Sequence, residues 1–315
     1  MIILSMSLVS ATTHIVSNYN NDGNTTIYNG SCYDFVKTIP NNSIKLIVTS
    51  PPYNIGKKYE KKGELKEYYK CQEEIIDECV RILETSGSIC WQVGNYVNDG
   101  AIVPLDIFLY PIFAKHNLKL RNRIIWHFGH GLHARKRFSG RYETILWFTK
   151  SENYTFNLDS VRVPQKYPNK KYFKGEHKGE YSCNPLGKNP SDVWEIPNVK
   201  SNHVEKTIHP CQFPVELVER LVLSLTNEKD MVFDPFLGVG STTIASVKNN
   251  RIGIGCETIK EYYDLAVERT LQTFNGTLKT RPMNTPVYDP NNTKKNLNKD
   301  LSLQSELFEK KAWYK

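Results

Sequence analysis

Two rhythms of apolar residues run along this chain. Leu46-Ile47-Val48, Met231-Val232-Phe233 and Ile252-Gly253-Ile254-Gly255-Cys256 are short apolar runs, the pattern of strands buried on both faces of a sheet. Glu143-Thr144-Ile145-Leu146-Trp147-Phe148-Thr149 predicts a further strand, and strand and helix patterns before it end at Arg121-Asn122-Arg123-Ile124-Ile125-Trp126. Residues 84–93 read as a helix end, a turn at Gly87 and then a buried strand. The other rhythm is helical. Leu217, Leu221 and Leu225 recur with Val218 and Val222 beside them, and Pro214 suits the first turn of that helix. A second helical stretch runs from Thr242 to Asn250. Strands alternating with helices predict an α/β fold.

The ends of two predicted strands carry the candidate chemistry. After Leu46-Ile47-Val48 the chain reads Thr49-Ser50-Pro51-Pro52-Tyr53-Asn54. Two prolines force the backbone away from helix. Such a turn presents carbonyls and a hydroxyl at the edge of a sheet and sets an aromatic ring beside them. These parts suit a planar base with an exocyclic amino group: Tyr53 to stack on it, Ser50 and Pro51 oxygens to accept its N–H bonds. After Met231-Val232-Phe233 comes Asp234-Pro235-Phe236-Leu237-Gly238-Val239-Gly240-Ser241-Thr242-Thr243. Its glycines let backbone approach a ligand at the head of a helix. Glu257 follows the next strand, about 20 residues on, where a carboxylate meets ribose hydroxyls in nucleotide-binding units. A dinucleotide site is the other reading of this segment, but Thr243 stands where its third glycine belongs.

Ser50-Pro51-Pro52-Tyr53 resembles motif IV of the DNA amino-methyltransferases, which use S-adenosylmethionine to methylate N4 of cytosine or N6 of adenine. Phe236, Gly238 and Gly240 resemble their motif I, the cofactor-binding turn. His209-Pro210-Cys211-Gln212-Phe213-Pro214 and the helix after it resemble motif X, which helps hold the methionine moiety and makes His209 a cofactor-proximal residue. The order of the motifs, catalytic before cofactor-binding, is that of the family's β group. The resemblance implies a doubly wound, Rossmann-like methyltransferase sheet with an inserted target-recognition region. It implies Ser50, Pro51, Pro52 and Tyr53 as catalytic residues, and Asp234, Phe236, Gly238, Gly240, Ser241, Thr242, Glu257 and His209 as cofactor-binding residues. It also implies double-stranded DNA as partner, and leaves room for a cognate restriction endonuclease and a homodimer. Serine at the head of the catalytic turn resembles the cytosine-N4 enzymes. The adenine enzymes more often carry Asp there, although some carry Ser-Pro-Pro-Tyr. The expectation is N4 of cytosine, with N6 of adenine as the alternative. One place departs from the pattern: the family's Gly-Asp pair upstream is here Gly30-Ser31, with an acid only at Asp34.

Composition narrows the setting. The chain has 315 residues, a formal net charge of +8 and seven cysteines without Cys-x-x-Cys spacing. Scattered thiols point to a reducing cytoplasm and against a zinc ribbon. No run is long enough to span a membrane, and the apolar start at Met1–Val9 lacks the basic region of a secretory signal. Four regions are expected: a catalytic half over 1–126, a target-recognition region over 127–206 that lends the strand near 143–149 to the catalytic sheet, a cofactor half over 207–275, and a tail over 276–315 whose end docks as a short helix. Region 127–206 holds fourteen Lys and Arg against eight Asp and Glu, a net +6 of the total +8. Its densest cluster makes Arg135, Lys136, Arg137 and Arg141 the expected DNA contacts. His127, His130 and His133 read as polar surface or DNA contacts in a glycine-rich turn, and no metal is expected. Residues 57–70 read as a mobile charged loop after the catalytic turn. An RNA or protein methyltransferase, or a DNA-binding module without activity, are the readings from other classes. The motif order and basic insertion speak against the first, and the intact motifs against the second.

Overall fold

The computed structural model describes residues 15–20, 22–54, 56, 63–129, 131 and 133–287. In chain order the elements are β1 (Ile15–Val16), β2 (Thr25–Asn29), α1 (Cys32–Val36), β3 (Ile44–Thr49), α2 (Leu65–Ile82), β4 (Leu83–Val93), β5 (Asn95–Asn98), β6 (Ala101–Pro104), α3 (Leu105–Lys115), β7 (Lys119–His127), β8 (Tyr142–Thr149), β9 (Val193–Glu195), α4 (Val215–Leu225), β10 (Met231–Asp234), α5 (Ser241–Lys248), β11 (Ile252–Glu257) and α6 (Lys260–Phe274). Nine strands form one sheet in the order β1-β2-β11-β10-β3-β4-β8-β7-β9, and β5 pairs with β6 in a small hairpin. Within the large sheet only β8 runs against the others.

The sheet is covered on both faces, which is why its central strands read as continuous apolar runs. Ile47, Ile89 and Phe233 face a core shared with α1, α2 and α3. Leu46, Val48, Cys90 and Val232 face a second core built on α4 and α5. Helix α4 lies deep: its leucines and valines are fully buried, and so are Glu216 and Glu219. Those carboxylates are matched by Arg281 and by Lys248, the latter at 2.9 Å, as buried charges require.

The strand order has one consequence for the site. The late strands β10 and β11 sit between β2 and β3, so β10 pairs with β3 in parallel, Val232 against Leu46 and Phe233 against Ile47. The catalytic turn and the glycine turn therefore leave adjacent strands at the same edge.

Three expectations change. No turn occurs at Gly87. The chain passes from α2 straight into β4, and a bulge takes up the extra residues, with Ile44 opposite Leu83 but Leu46 opposite Ser88. Gly87 fits there because a Cβ would stand 2.7 Å from a Leu83 methyl and 2.9 Å from the Lys45 carbonyl. Of the charged loop expected over 57–70, residues 65–70 are the first turns of α2. Lys66 and Glu67 lie on its exposed face, while Ile75, Ile76 and Cys79 further along bury the other. Residues 57–62 lie outside the described residues, but the segment's ends are clasped: Asn54 Nδ2 donates to the Gly63 carbonyl at 2.9 Å, and Gly63 N–H donates to Asn54 Oδ1 at 2.7 Å. The stretch read as tail begins with an anchor, since Arg281 N–H donates to Glu205 Oε1 at 2.9 Å and its guanidinium pairs with Glu216. The expected terminal helix, the apolar start and His130 lie outside the described residues. No described helix is long and apolar enough to cross a membrane.

Candidate active site

A cavity of about 350 Å³ opens at the carboxyl edge of the sheet, where open α/β sheets bind ligands. Ser50, Pro51, Pro52 and Tyr53 form one wall; Asp234, Phe236, Gly238 and Ser241 form the facing one, with Glu257 and His209 beside them. The structure thus gathers the catalytic turn and most of the expected cofactor residues around one space. Gly240 and Thr242 stand behind that wall.

Asp234 ties the two turns together. Thr49 Oγ1 and Thr242 Oγ1 each donate to its carboxylate at 2.6 Å, and Phe236 N–H donates at 3.0 Å. Burial pushes this carboxyl up to about 6, while the three donors pull the other way. A carboxyl lifted from 3.8 stabilises the fold fully below that value and loses its contribution as pH rises through about 6. The rise corresponds to about 3 kcal/mol. Asp234→Asn mimics the neutral form. Its stability relative to the parent is therefore expected to improve by up to about 3 kcal/mol between about pH 4 and about pH 7. Urea melts of both proteins across that range check it, and parallel curves would refute it.

The glycine turn is shaped for a ligand. Gly238 has φ +56°, and a Cβ there would point into space 3.6 Å from His209 Nε2. Gly238 N–H donates to Glu257 Oε2 at 2.9 Å, and Ile259 N–H donates to Oε1 at 2.8 Å. Each carboxylate oxygen keeps a lone pair for a further donor. His209 accepts from Cys211 N–H at Nδ1 (3.2 Å), which sets its proton on Nε2, and its ring stands edge-on to Tyr262. Burial, helped by Lys206, lowers its pKa to about 4. A neutral imidazole beside the cavity puts no positive charge against a cationic ligand. Open backbone at Gly238, a carboxylate for ribose hydroxyls and aromatic walls fit S-adenosylmethionine. Ser241 and Thr242 serve as braces here: Ser241 Oγ donates to the Phe213 carbonyl at 2.5 Å, and Thr242 holds Asp234.

Around Tyr53 the structure adds residues that sequence reasoning missed. The Tyr53 hydroxyl donates to Gln92 Oε1 at 2.6 Å and lies 3.2 Å from Ser50 Oγ and 3.3 Å from Glu143 Oε2. Gln92 Nε2 donates to the same Glu143 oxygen. Glu143 reaches this edge because β8 is antiparallel, so its first residues meet the ends of its neighbours. Gly94 leaves room for the ring, since a Cβ there would stand 3.0 Å from it. Each carried a faint signal: Gln92 is the polar residue in a buried strand, and Glu143 the acid heading an apolar one.

The region upstream of β3 gives no substitute for the missing acid. Ser31 Oγ caps α1 by accepting from Tyr33 N–H at 3.2 Å, and Asn29 Nδ2 donates to the Glu257 carbonyl at 2.9 Å. Arg135, Lys136 and Arg137 stand exposed in the loop between β7 and β8, around a fully exposed Phe138. The ladder hydrogen bond from Phe128 N–H to the Arg141 carbonyl (3.0 Å) closes that loop, and its stems, Phe128 and Glu143, line the cavity.

A family model described as DNA methylase, covering N6 and N4 amino-methyltransferases, matches residues 44–268. The chain belongs to this DNA methylase family. S-adenosylmethionine is the family's methyl donor. The methylase is 54% identical over 256 residues to Type II methyltransferase M.BglII of Bacillus subtilis, covering 81% of this chain and 71% of that one. It is 32% identical over 250 residues to DNA adenine methyltransferase YhdJ of Escherichia coli K12, covering 78% and 82%. Its fold matches PvuII DNA methyltransferase (cytosine-N4-specific) with a TM-score of 0.63 at 19% identity, over 86% of this chain and 96% of that one. It also matches a DNA modification methylase of Thermus thermophilus, TTHA0409, solved with S-adenosyl-L-methionine, with a TM-score of 0.57 at 24% identity over 83% and 99%. The methylase therefore has the Rossmann-like fold of the S-adenosylmethionine-dependent DNA methyltransferases.

Proposed function

We propose that this methylase transfers a methyl group from S-adenosylmethionine to N4 of a cytosine in a specific double-stranded DNA site, as the modification enzyme of a restriction-modification system. The observation that carries the reading is the single cavity walled on one side by the catalytic turn and on the other by Gly238 and Glu257. Donor and acceptor need one shared space, and the pairing of β3 with β10 provides it.

Glu257 and the backbone at Gly238 hold the nucleoside part of the donor, with His209 at its flank. Bound S-adenosylmethionine supplies an electrophilic methyl group on a sulfonium. The target base leaves the duplex at a cost of a few kcal/mol, which stacking on Tyr53 offsets in part. Its amino nitrogen is a poor nucleophile because the lone pair is delocalised into the ring. Ser50 Oγ and the Pro51 carbonyl accept its two N–H bonds and turn the nitrogen toward tetrahedral geometry. What remains is positioning for in-line transfer, and one proton leaves the methylated nitrogen for solvent. Region 127–206 reads the site, with Arg135, Lys136, Arg137 and Arg141 neutralising phosphates.

Serine heading the catalytic turn supports cytosine. The adenine reading is kept by the likeness to YhdJ, an adenine methyltransferase by name. The test is mass spectrometry of nucleosides from DNA incubated with the purified protein and isotope-labelled S-adenosylmethionine. Label in N4-methylcytosine is the expected result. Label in N6-methyladenine would reverse the base alone, and no label in DNA would overturn the reading.

A further inference from the structure

We propose that Glu143 is a positioning residue that fixes the hydrogen-bond polarity of the catalytic turn through Gln92 and Tyr53, so that Ser50 Oγ presents lone pairs to the target amino group. The proposal rests on the methyl-transfer reading above and adds a residue set to it.

The argument is one of counting protons. An ionised carboxylate only accepts. Glu143 Oε2 therefore takes an N–H from Gln92, which turns the Gln92 carbonyl toward Tyr53. The single Tyr53 hydroxyl proton then points to Gln92 Oε1 at 2.6 Å, with Glu143 Oε2, also an acceptor, at 3.3 Å. With that proton committed, the contact between Tyr53 and Ser50 at 3.2 Å has one polarity left, Ser50 donating and Tyr53 accepting. Ser50 has spent its only donor, and its lone pairs face the cavity it lines. A target amino group brings two donors, so an oxygen that can only accept is what it needs. Reversing the relay would turn the Ser50 proton toward those donors.

Protonation of Glu143 is the natural way to reverse it. A neutral carboxyl can donate to Gln92 or Tyr53 and release the Tyr53 proton toward Ser50. Burial pushes Glu143 up to about 6, against the pull of its hydrogen bonds from Gln92 and Tyr53. The other titratable groups facing this cavity are Tyr53 after β3, His209 and Cys211 before α4, Asp234 on β10, Glu257 on β11 and Tyr262 on α6. Asp234 titrates in the same range, so the test must separate the two.

The measurement is the single-turnover methylation rate against pH for the full chain and for Glu143→Gln and Tyr53→Phe, with genomic DNA and labelled S-adenosylmethionine. The parent is expected to lose rate on the acid side of about pH 6. Glu143→Gln is expected to turn over about tenfold more slowly at alkaline pH, with unchanged S-adenosylmethionine affinity, and to lack the Glu143 part of that acid limb. Tyr53→Phe cuts the relay at its middle and is expected to lack the same part. An acid limb unchanged in Tyr53→Phe would assign it to Asp234 or another group and overturn the relay. So would parental rate and pH profile in Glu143→Gln. Absence of transfer by the parent at every pH would instead remove the methyl-transfer reading itself.

Discussion

Tyr53→Ala is expected to slow methyl transfer at least about 100-fold and to leave S-adenosylmethionine affinity unchanged. Two losses combine. The ring that stacks on the extruded base is removed, worth about 1–3 kcal/mol for one base. The hydroxyl linking Ser50 to Gln92 and Glu143 goes with it, which frees the serine to rotate. Calorimetric titration with the cofactor and single-turnover kinetics on DNA separate the two effects. The cofactor wall is made by other residues, so binding and chemistry should part. Full turnover in this variant would overturn the assignment of Ser50–Tyr53 as the catalytic turn.

The second large effect divides two glycines of the same turn. Gly240 has φ +86°, and a Cβ there would meet the Ala266 backbone at 3.1–3.2 Å. Gly240→Val adds left-handed strain to a clash with α6, and about 3–5 kcal/mol of stability should be lost. Cofactor affinity falls as a consequence of that distortion. Gly238 differs: its Cβ would meet nothing closer than His209 at 3.6 Å. Gly238→Val should cost less stability, about 1–2 kcal/mol, yet fill the space facing the ligand and weaken cofactor binding at least about tenfold. Denaturant melts together with cofactor titration test the split. Equal stability loss in both variants would show that Gly240 does not pack as described.

How much of this was legible beforehand follows from where each signal resides. The strands β3, β10 and β11 announced themselves because burial on both faces makes them wholly apolar. Their turns were legible because prolines and glycines are dictated by local backbone, and the resemblance rested on those residues. Glu143, Gln92 and Gly94 were not. Their roles come from an antiparallel neighbour and from contacts across strands, as the 90-residue separation between Tyr53 and Glu143 illustrates. Asp234 was expected at the cofactor and lines the cavity, but its three donors make it the brace between the turns; spacing alone could not reveal partners at Thr49 and Thr242. The turn expected at Gly87 failed for a related reason. Glycine there answers a close approach by the Lys45 carbonyl, which local sequence cannot show.

The interleaving of late strands among early ones bears on how the protein is made. Thr49 and Asp234 lie 185 residues apart in the chain. At about 5–20 residues per second, a ribosome needs roughly ten to forty seconds between them. Throughout that interval β3 has no β10 to pair with, and the carboxyl end of the catalytic turn lacks its brace. The nascent chain therefore carries an open, apolar strand edge of the kind that invites chaperones or mispairing. It cannot assemble a working site until β10 and β11 emerge and slot between β2 and β3. Modification activity is thus withheld until nearly the whole enzyme has been synthesised.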